Sequence, residues 1–313
     1  MNLERLSVTR RTFLGYGIAF LRAGSRTQEP GGSQTVELRA GELTLLLGNE
    51  YDHGAGRPGY IGIWSLTSIH EPTNIFVPRY AGWIHRRNRA TVTRVSETEG
   101  LIQHMDAAGR LGTRQAFKVI PPYYFDCVFT MGEFGDSISV NGTSYMNGPE
   151  DPGVYFLDPE MKWRRHYDPL HGSAASILPA GMPVPEVKKV ADSPYPRGTQ
   201  NFWDTFAEHR YHPDYSLFYG RFRDMVLVHM FPPQSNVIPY TSPSGGGPRP
   251  GGQLRNPAWD WRVTITRGAQ RNAEPSFLVR AVYKKYVDDR DILTEYRSWT
   301  NTLPVGSQIK NDK

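Results

Sequence analysis

Gly100-Leu101-Ile102-Gln103-His104-Met105-Asp106 is followed, across the turn residues Ala108-Gly109, by Thr113-Arg114-Gln115-Ala116-Phe117-Lys118-Val119. Each run alternates with a period of two, the spacing that sends successive side chains to opposite faces of a strand. Upstream, Arg89 to Ser96 repeats the pattern and is closed by Glu99-Gly100, so the three segments read as a β-meander. Pro121-Pro122 interrupts it, and Tyr123 to Met131 resumes it as an aromatic and β-branched strand with Cys127 as a core residue.

The same reading extends outward. Val36 to Ala40, Leu43 to Leu47 and Tyr60 to Leu66 are predicted strands before the meander. Ser216 to Phe222, Met225 to Phe231, Trp259 to Thr266 and Phe277 to Lys284 are predicted strands after it. Gly132 to about Asn201 has few periodic stretches and reads as long, functional loops. Ser242 to Gly252 reads as a glycine- and proline-rich flap without the Gly-Lys-Ser/Thr ending of a phosphate loop. Asp288 to Thr300 is the one expected helix, with Ile292, Leu293, Tyr296 and Trp299 on one face and aspartates at its positive end.

Many short strands, one terminal helix and large loops predict an all-β fold, a large antiparallel β-sandwich with a C-terminal helix. The meander of matched long strands resembles the supersandwich of the galactose-mutarotase group, a scaffold shared by many polysaccharide lyases and glycoside hydrolases. The resemblance is architectural. No stretch matches the catalytic histidines and glutamate of those epimerases residue for residue, so it assigns no residue a role.

Ser7-Val8-Thr9-Arg10-Arg11-Thr12-Phe13-Leu14, leading into a short apolar run and Ala23-Gly24-Ser25, resembles a twin-arginine export signal. It implies a folded bacterial protein delivered to the periplasm or beyond. The expected organisation is a signal peptide over 1–25, a tether over 26–34 and a single sandwich domain over 35–313. Phe13 to Leu21 is too short to span a bilayer, which needs about 20 apolar residues, so stable membrane insertion is not expected.

One cysteine excludes an internal disulfide and a cysteine-based zinc or iron-sulfur centre. The formal charge is +5, but Arg5, Arg10, Arg11 and Arg22 against Glu4 place +3 of it in the leader. The remaining +2 argues against a nucleic-acid partner, and Arg86, Arg87 and Arg89 read as a solvated face. Seventeen tyrosines and seven tryptophans point instead toward a carbohydrate, whose apolar ring faces stack on exposed aromatics.

Six segments could carry chemistry or bind a ligand. In Asn49 to Tyr60, glycines let backbone approach a ligand while His53 offers a proton carrier and Arg57 a charge stabiliser, with Tyr60 at the loop's end. In Trp163 to Gly172, His166 and His171 stand near Tyr167 and Asp168. Tyr219 and Arg221, two residues apart, share one strand face and could complete an acid/base and anchoring set with His53 or His171. Trp203 and Trp259, each beside amide or carboxylate groups, are candidate sugar platforms. No cofactor is expected. Glu208, His209, His212 and Asp214 offer a minor metal possibility, weakened by Pro213, which disrupts a helical ligand spacing.

These features predict an exported carbohydrate-active enzyme, a hydrolase, lyase or epimerase working through His53, His171, Tyr219 and Arg221 on a glycan substrate. Arg57, Tyr60, His166, Trp203 and Trp259 would bind that substrate. The competing reading is a non-catalytic glycan-binding or surface-interaction sandwich.

Overall fold

The computed structural model describes residues 35–49, 60–83, 89–105, 111–132, 137–243, 256–266 and 275–304. The predicted leader and tether, His53, Arg57 and most of the Ser242 to Gly252 flap lie outside these residues. What is described belongs to one compact unit, Ser33–Lys313. Among the described residues no helix is long and apolar enough to cross a membrane.

Strands β1 (Thr35–Ala40), β2 (Leu43–Gly48) and β3 (Gly62–Ser68) form a small antiparallel sheet. Next come β4 (Phe76–Gly82), β5 (Arg89–Arg94), β6 (Glu99–Met105), β7 (Leu111–Ile120), β8 (Tyr124–Met131), β9 (Ser137–Met146), β10 (Val154–Leu157) and β11 (Trp163–His166). After a long irregular segment the chain continues with β12 (Leu217–Phe222), β13 (Met225–Met230), β14 (Ile238–Ser242), β15 (Ala258–Thr266), β16 (Ser276–Lys285) and the helix α1 (Asp289–Thr300).

A nine-stranded antiparallel sheet in the order β11-β10-β12-β13-β16-β8-β7-β6-β5 forms one layer, and a four-stranded sheet β14-β15-β9-β4 packs against it. The small sheet covers the β5 to β7 end, where Gly100 sits under Leu38 and Leu47. The fold is therefore the all-β, large antiparallel sandwich expected from the sequence, with its single helix at the C-terminal end.

Aromatic rings fill the space between the layers. Trp261 of β15 meets Phe129 of β8 at 5.6 Å and Phe231 at 5.3 Å, while Trp83 lies 5.3 Å from Phe125. Trp259 lies over the backbone of Gly220 in the opposite sheet, and a Cβ at Gly220 would stand 2.4 Å from the indole. Only glycine permits this approach. Cys127 is buried in the same core, and burial pushes its thiol well above the ordinary range.

On the other face of the nine-stranded sheet, α1 buries Ile292, Tyr296 and Trp299 against Leu217, Tyr219, Val226, Val228, Met230 and Val282. Asp288 caps the helix by accepting from Asp291 N at 2.8 Å, which satisfies one of its free amides. A charged clamp holds it down. Lys284 donates to Glu295 and, at 2.9 Å, to Asp291, while Tyr123 and Tyr124 donate to the Glu295 carboxylate at 2.8 and 2.7 Å.

Two parts of the sequence reading change. The stretch read as loops after Gly132 contains β9, β10 and β11, so His166 closes a strand instead of standing in a loop. In addition β4 and β14, which were not predicted, are the two edges of the four-stranded sheet. Each carries a proline, Pro78 or Pro239. A proline cannot donate to the ladder, which confines it to an edge and blurs the strand's signature.

Candidate functional site

The outer face of the four-stranded sheet is polar because β15 alternates strictly there. Trp261, Val263 and Ile265 point into the core, and Arg262, Thr264 and Thr266 point outward. On the neighbouring strand Asn141, Ser139 and Ser137 stand opposite those three, and Ile238 of β14 flanks Arg262 on its other side. Close packing of Trp261 fixes this register: a Cβ at its partner Gly142 would come within 2.2 Å of the indole.

Above this floor lies a cavity of about 420 Å³, lined by Ser139, Ile238, Arg262, Thr264 and Thr266 below and by Met182, Ser235 and Asn236 at its sides. Its size falls in the range of small-ligand pockets. Arg210 donates to the carbonyls of Met182 and Pro179, which anchors one wall. The opposite wall includes a turn in which Gln234 and Asn236 adopt left-handed backbone angles, φ 57° and 54°. Ser235 is buried there, and its hydroxyl has no partner among the described residues.

Beside Arg262 runs the irregular segment after β11, whose Trp203 carbonyl faces the guanidinium. Asp168 organises it as a buried hub that accepts from Gly172 N at 2.5 Å and from Ser173 N and Oγ at 3.1 and 2.5 Å. Its own amide donates to Thr241 Oγ1 at 2.9 Å, which ties the turn to β14. The His171 ring stands edge-on to Phe202 at 4.6 Å, and Phe202 lies 4.8 Å from Trp203. The Trp203 carbonyl accepts from Ser176 Oγ at 2.7 Å and faces Arg262 Nη2 at 3.4 Å.

Electrostatics separate these groups. Burial lowers the pKa of His166 and of His171 despite the attraction of Asp168, so both rings are neutral at pH 7. Burial also lowers Arg262 against the pull of Tyr240 and Asp204, but a guanidinium remains charged throughout the physiological range.

The sequence candidates divide between the two outer faces of the sandwich. The Trp203 carbonyl reaches Arg262, whereas His171 packs on Phe202 and Tyr195 and is not part of the cavity lining; the Tyr60 hydroxyl meets that of Tyr145 at 3.3 Å. His166 is largely buried at the end of β11. Tyr219 and Arg221 do share a strand face, but it is the face beneath α1. Tyr219 stacks on Tyr155 at 5.0 Å and donates to Asp289 at 2.5 Å, and Arg221 lies over Tyr286 at 4.2 Å.

Both sheets therefore stand between Tyr219 and His171, and the two do not form an acid/base set. Trp259 is fully buried, its indole N–H bonded to Pro152 O, so it offers no sugar platform. The four metal candidates do not converge either. His212 Nδ1 accepts from Asp214 N, Asp214 accepts from Gln234, and no group of three acidic, histidine or cysteine side chains among the described residues is placed to hold an ion.

The sequence reading singles out none of Arg262, Thr264 and Ser139; the signal for the first two is the polar half of the Trp259 to Thr266 alternation.

No family model matches this chain, and no curated relative does. Among solved structures it is similar to a protein from Escherichia coli K12 provisionally assigned as an aldose 1-epimerase, at 8% identity and a TM-score of 0.45, over 82% of this chain and 100% of that one. A second similar structure is HI1317, at 8% identity and a TM-score of 0.38, over 81% of this chain and 100% of the other. A third is the glucosidase II alpha subunit, at 8% identity and a TM-score of 0.27, where the match spans 32% of the larger protein. These are likenesses of fold.

Proposed function

We propose that the protein is a glycan-binding β-sandwich whose ligand lies in the groove over β9, β14 and β15. One observation carries this reading: two paired strands present hydroxyl and guanidinium groups along the floor of a 420 Å³ cavity, with the Asn236 amide at its side. Such a floor matches the dense donors and acceptors of a sugar. The binding alternative is preferred over catalysis because Tyr219 and Arg221 lie on the opposite outer face from His171.

The test is titration of the full chain with a panel of plant, algal and bacterial oligosaccharides, alongside Thr264→Trp, which fills the groove from an exposed strand position. Binding by the native chain and its loss in the variant, at unchanged melting temperature, is the expected result. Undiminished binding by Thr264→Trp moves the site elsewhere and defeats the reading. We further propose, on the Arg10-Arg11 leader alone, that this binding takes place outside the cytoplasm. A reporter fused to residues 1–34 should be exported, and Arg10→Lys with Arg11→Lys should retain it in the cytoplasm; export of the double variant would refute the route.

A further inference from the structure

Several arginines of the described structure have carboxylate partners, whereas Arg210 donates to backbone carbonyls and Arg221 lies over Tyr286. Arg164 pairs with Asp158 at 2.6 Å, Arg165 with Asp151 at 2.6 Å, Arg223 with Glu71 at 2.9 Å and Arg280 with Asp126 at 2.7 Å. Arg262 differs. It is partly buried, it lines the cavity, and among the described residues no carboxylate oxygen lies within 4.0 Å of it. Its side chain makes one hydrogen bond there, the long 3.4 Å contact with the Trp203 carbonyl.

The nearby acids are engaged elsewhere. Asp260 accepts from Ser144 N at 2.8 Å, and Asp204 accepts from Asn201 Nδ2 at 3.2 Å. A guanidinium carries five donors in a rigid fork, so most of its hydrogen-bonding capacity remains unused. Taking a cation partly out of water without a counter-charge is costly, and an anion arriving at the fork reverses that cost through two parallel hydrogen bonds.

We propose that the groove selects acidic saccharides, with Arg262 gripping the carboxylate of a uronate or the sulfate ester of a sulfated sugar. This rests on the glycan-binding reading above. Around the anion, Thr264, Thr266, Ser139 and Asn236 are placed to meet neutral hydroxyls, and the buried hydroxyl of Ser235 gains a partner. Arg262 sets which sugar is held, and the hydroxyl floor holds the remainder of the ring.

The experiment is calorimetric titration of the full chain with three oligosaccharides of matched length: an oligogalacturonate, a sulfated galactan fragment and a neutral galactan fragment. Each is repeated with Arg262→Gln and Arg262→Lys. At least one acidic ligand should bind tenfold or more tighter than the neutral one, and added salt should narrow the difference. Arg262→Gln should abolish that preference, and Arg262→Lys should keep part of it, since a point charge replaces the fork.

Preference for the uronate alone or the sulfate ester alone identifies the source of the anion. Equal binding of all three, or a preference that survives Arg262→Gln, overturns the proposal while leaving glycan binding intact. Binding of none of them, nor of any sugar in the wider panel, overturns the underlying reading as well. If Arg262→Gln does not fold, the lysine variant carries the comparison: a preference undiminished in Arg262→Lys counts against recognition by the fork.

Discussion

The phenol of Tyr219 donates a 2.5 Å hydrogen bond to the carboxylate of Asp289, the first residue of α1. The ring is clamped between Tyr155 and the edge of Trp163 and is almost fully buried. Burial first, and then the Asp289 carboxylate, push the phenol far above its ordinary range. Such a group fastens a helix to a sheet; it does not exchange protons with a ligand at neutral pH.

Tyr219→Phe should therefore lower stability by about 1 kcal/mol, the usual cost of one lost hydrogen bond. The Tyr286 hydroxyl still donates to Asp289 at 3.0 Å, which limits the damage. Saccharide affinity should be unchanged. Urea unfolding and calorimetry on the same variant check both statements, and a large loss of affinity at native stability would return Tyr219 to the site.

His229 lies in the core, stacked on Phe218 at 4.6 Å, with neither ring nitrogen bonded among the described residues. Burial pushes its pKa down to about 3, against about 6.5 in an unfolded chain. Between those values the unfolded chain binds a proton that the folded one does not. This group's contribution to stability is therefore present above pH 6.5 and falls as the solution is acidified toward pH 3, by on the order of 1 kcal/mol per pH unit. His229→Phe keeps the stacking and removes the titration. Urea midpoints measured from pH 7 to pH 4 should fall less steeply in this variant; identical slopes would exclude His229 from the acid response.

Lys284 is a buried cation held by Glu295 and Asp291. Burial alone would lower its pKa, but hydrogen bonds to Glu295 and then Asp291 push it up to about 12. Its contribution is complete below the unfolded value near 10.4 and is lost as pH rises through about 12. Lys284→Met leaves two carboxylates beneath α1 without their cation and should cost about 3 kcal/mol. Adding Glu295→Leu should recover part of the loss, because breaking a buried pair costs more than replacing it. Hydrogen exchange across residues 289–300 should report the loosening first; unchanged protection in Lys284→Met would show that the clamp does not hold the helix.

The sequence made the meander legible because β6, β7 and β8 keep their apolar positions on one side over long uninterrupted runs. It made α1 legible through the Asp288 cap and the spacing of Ile292, Tyr296 and Trp299. It concealed β9, whose outward residues are Ser137, Ser139 and Asn141, because a strand polar on one face and broken by Gly142 reads as a loop. The site was legible only in part. The Trp203 carbonyl does reach Arg262, but His171 is not part of the cavity lining, and the strand face of Tyr219 alone does not say which layer covers it. Which outer face is covered depends on α1, which returns from 70 residues downstream to bury it. Arg262 is inconspicuous for the complementary reason: spacing along a chain does not reveal a missing carboxylate partner.

Packing Trp259 and Trp261 against glycine backbones also gives the molecule a divided optical response. Of its seven indoles, Trp64, Trp83, Trp259, Trp261 and Trp299 are buried, whereas Trp163 and Trp203 are only partly so. An aqueous quencher such as iodide will reach the last two in the folded protein and all seven after unfolding. Trp203 lies beside Phe202 on one outer face, and Trp163 stands beside Tyr219 on the helix-covered one. A Trp163→Phe background would leave Trp203 as the one quenchable emitter of the folded protein, while the five buried rings report whether the protein is folded.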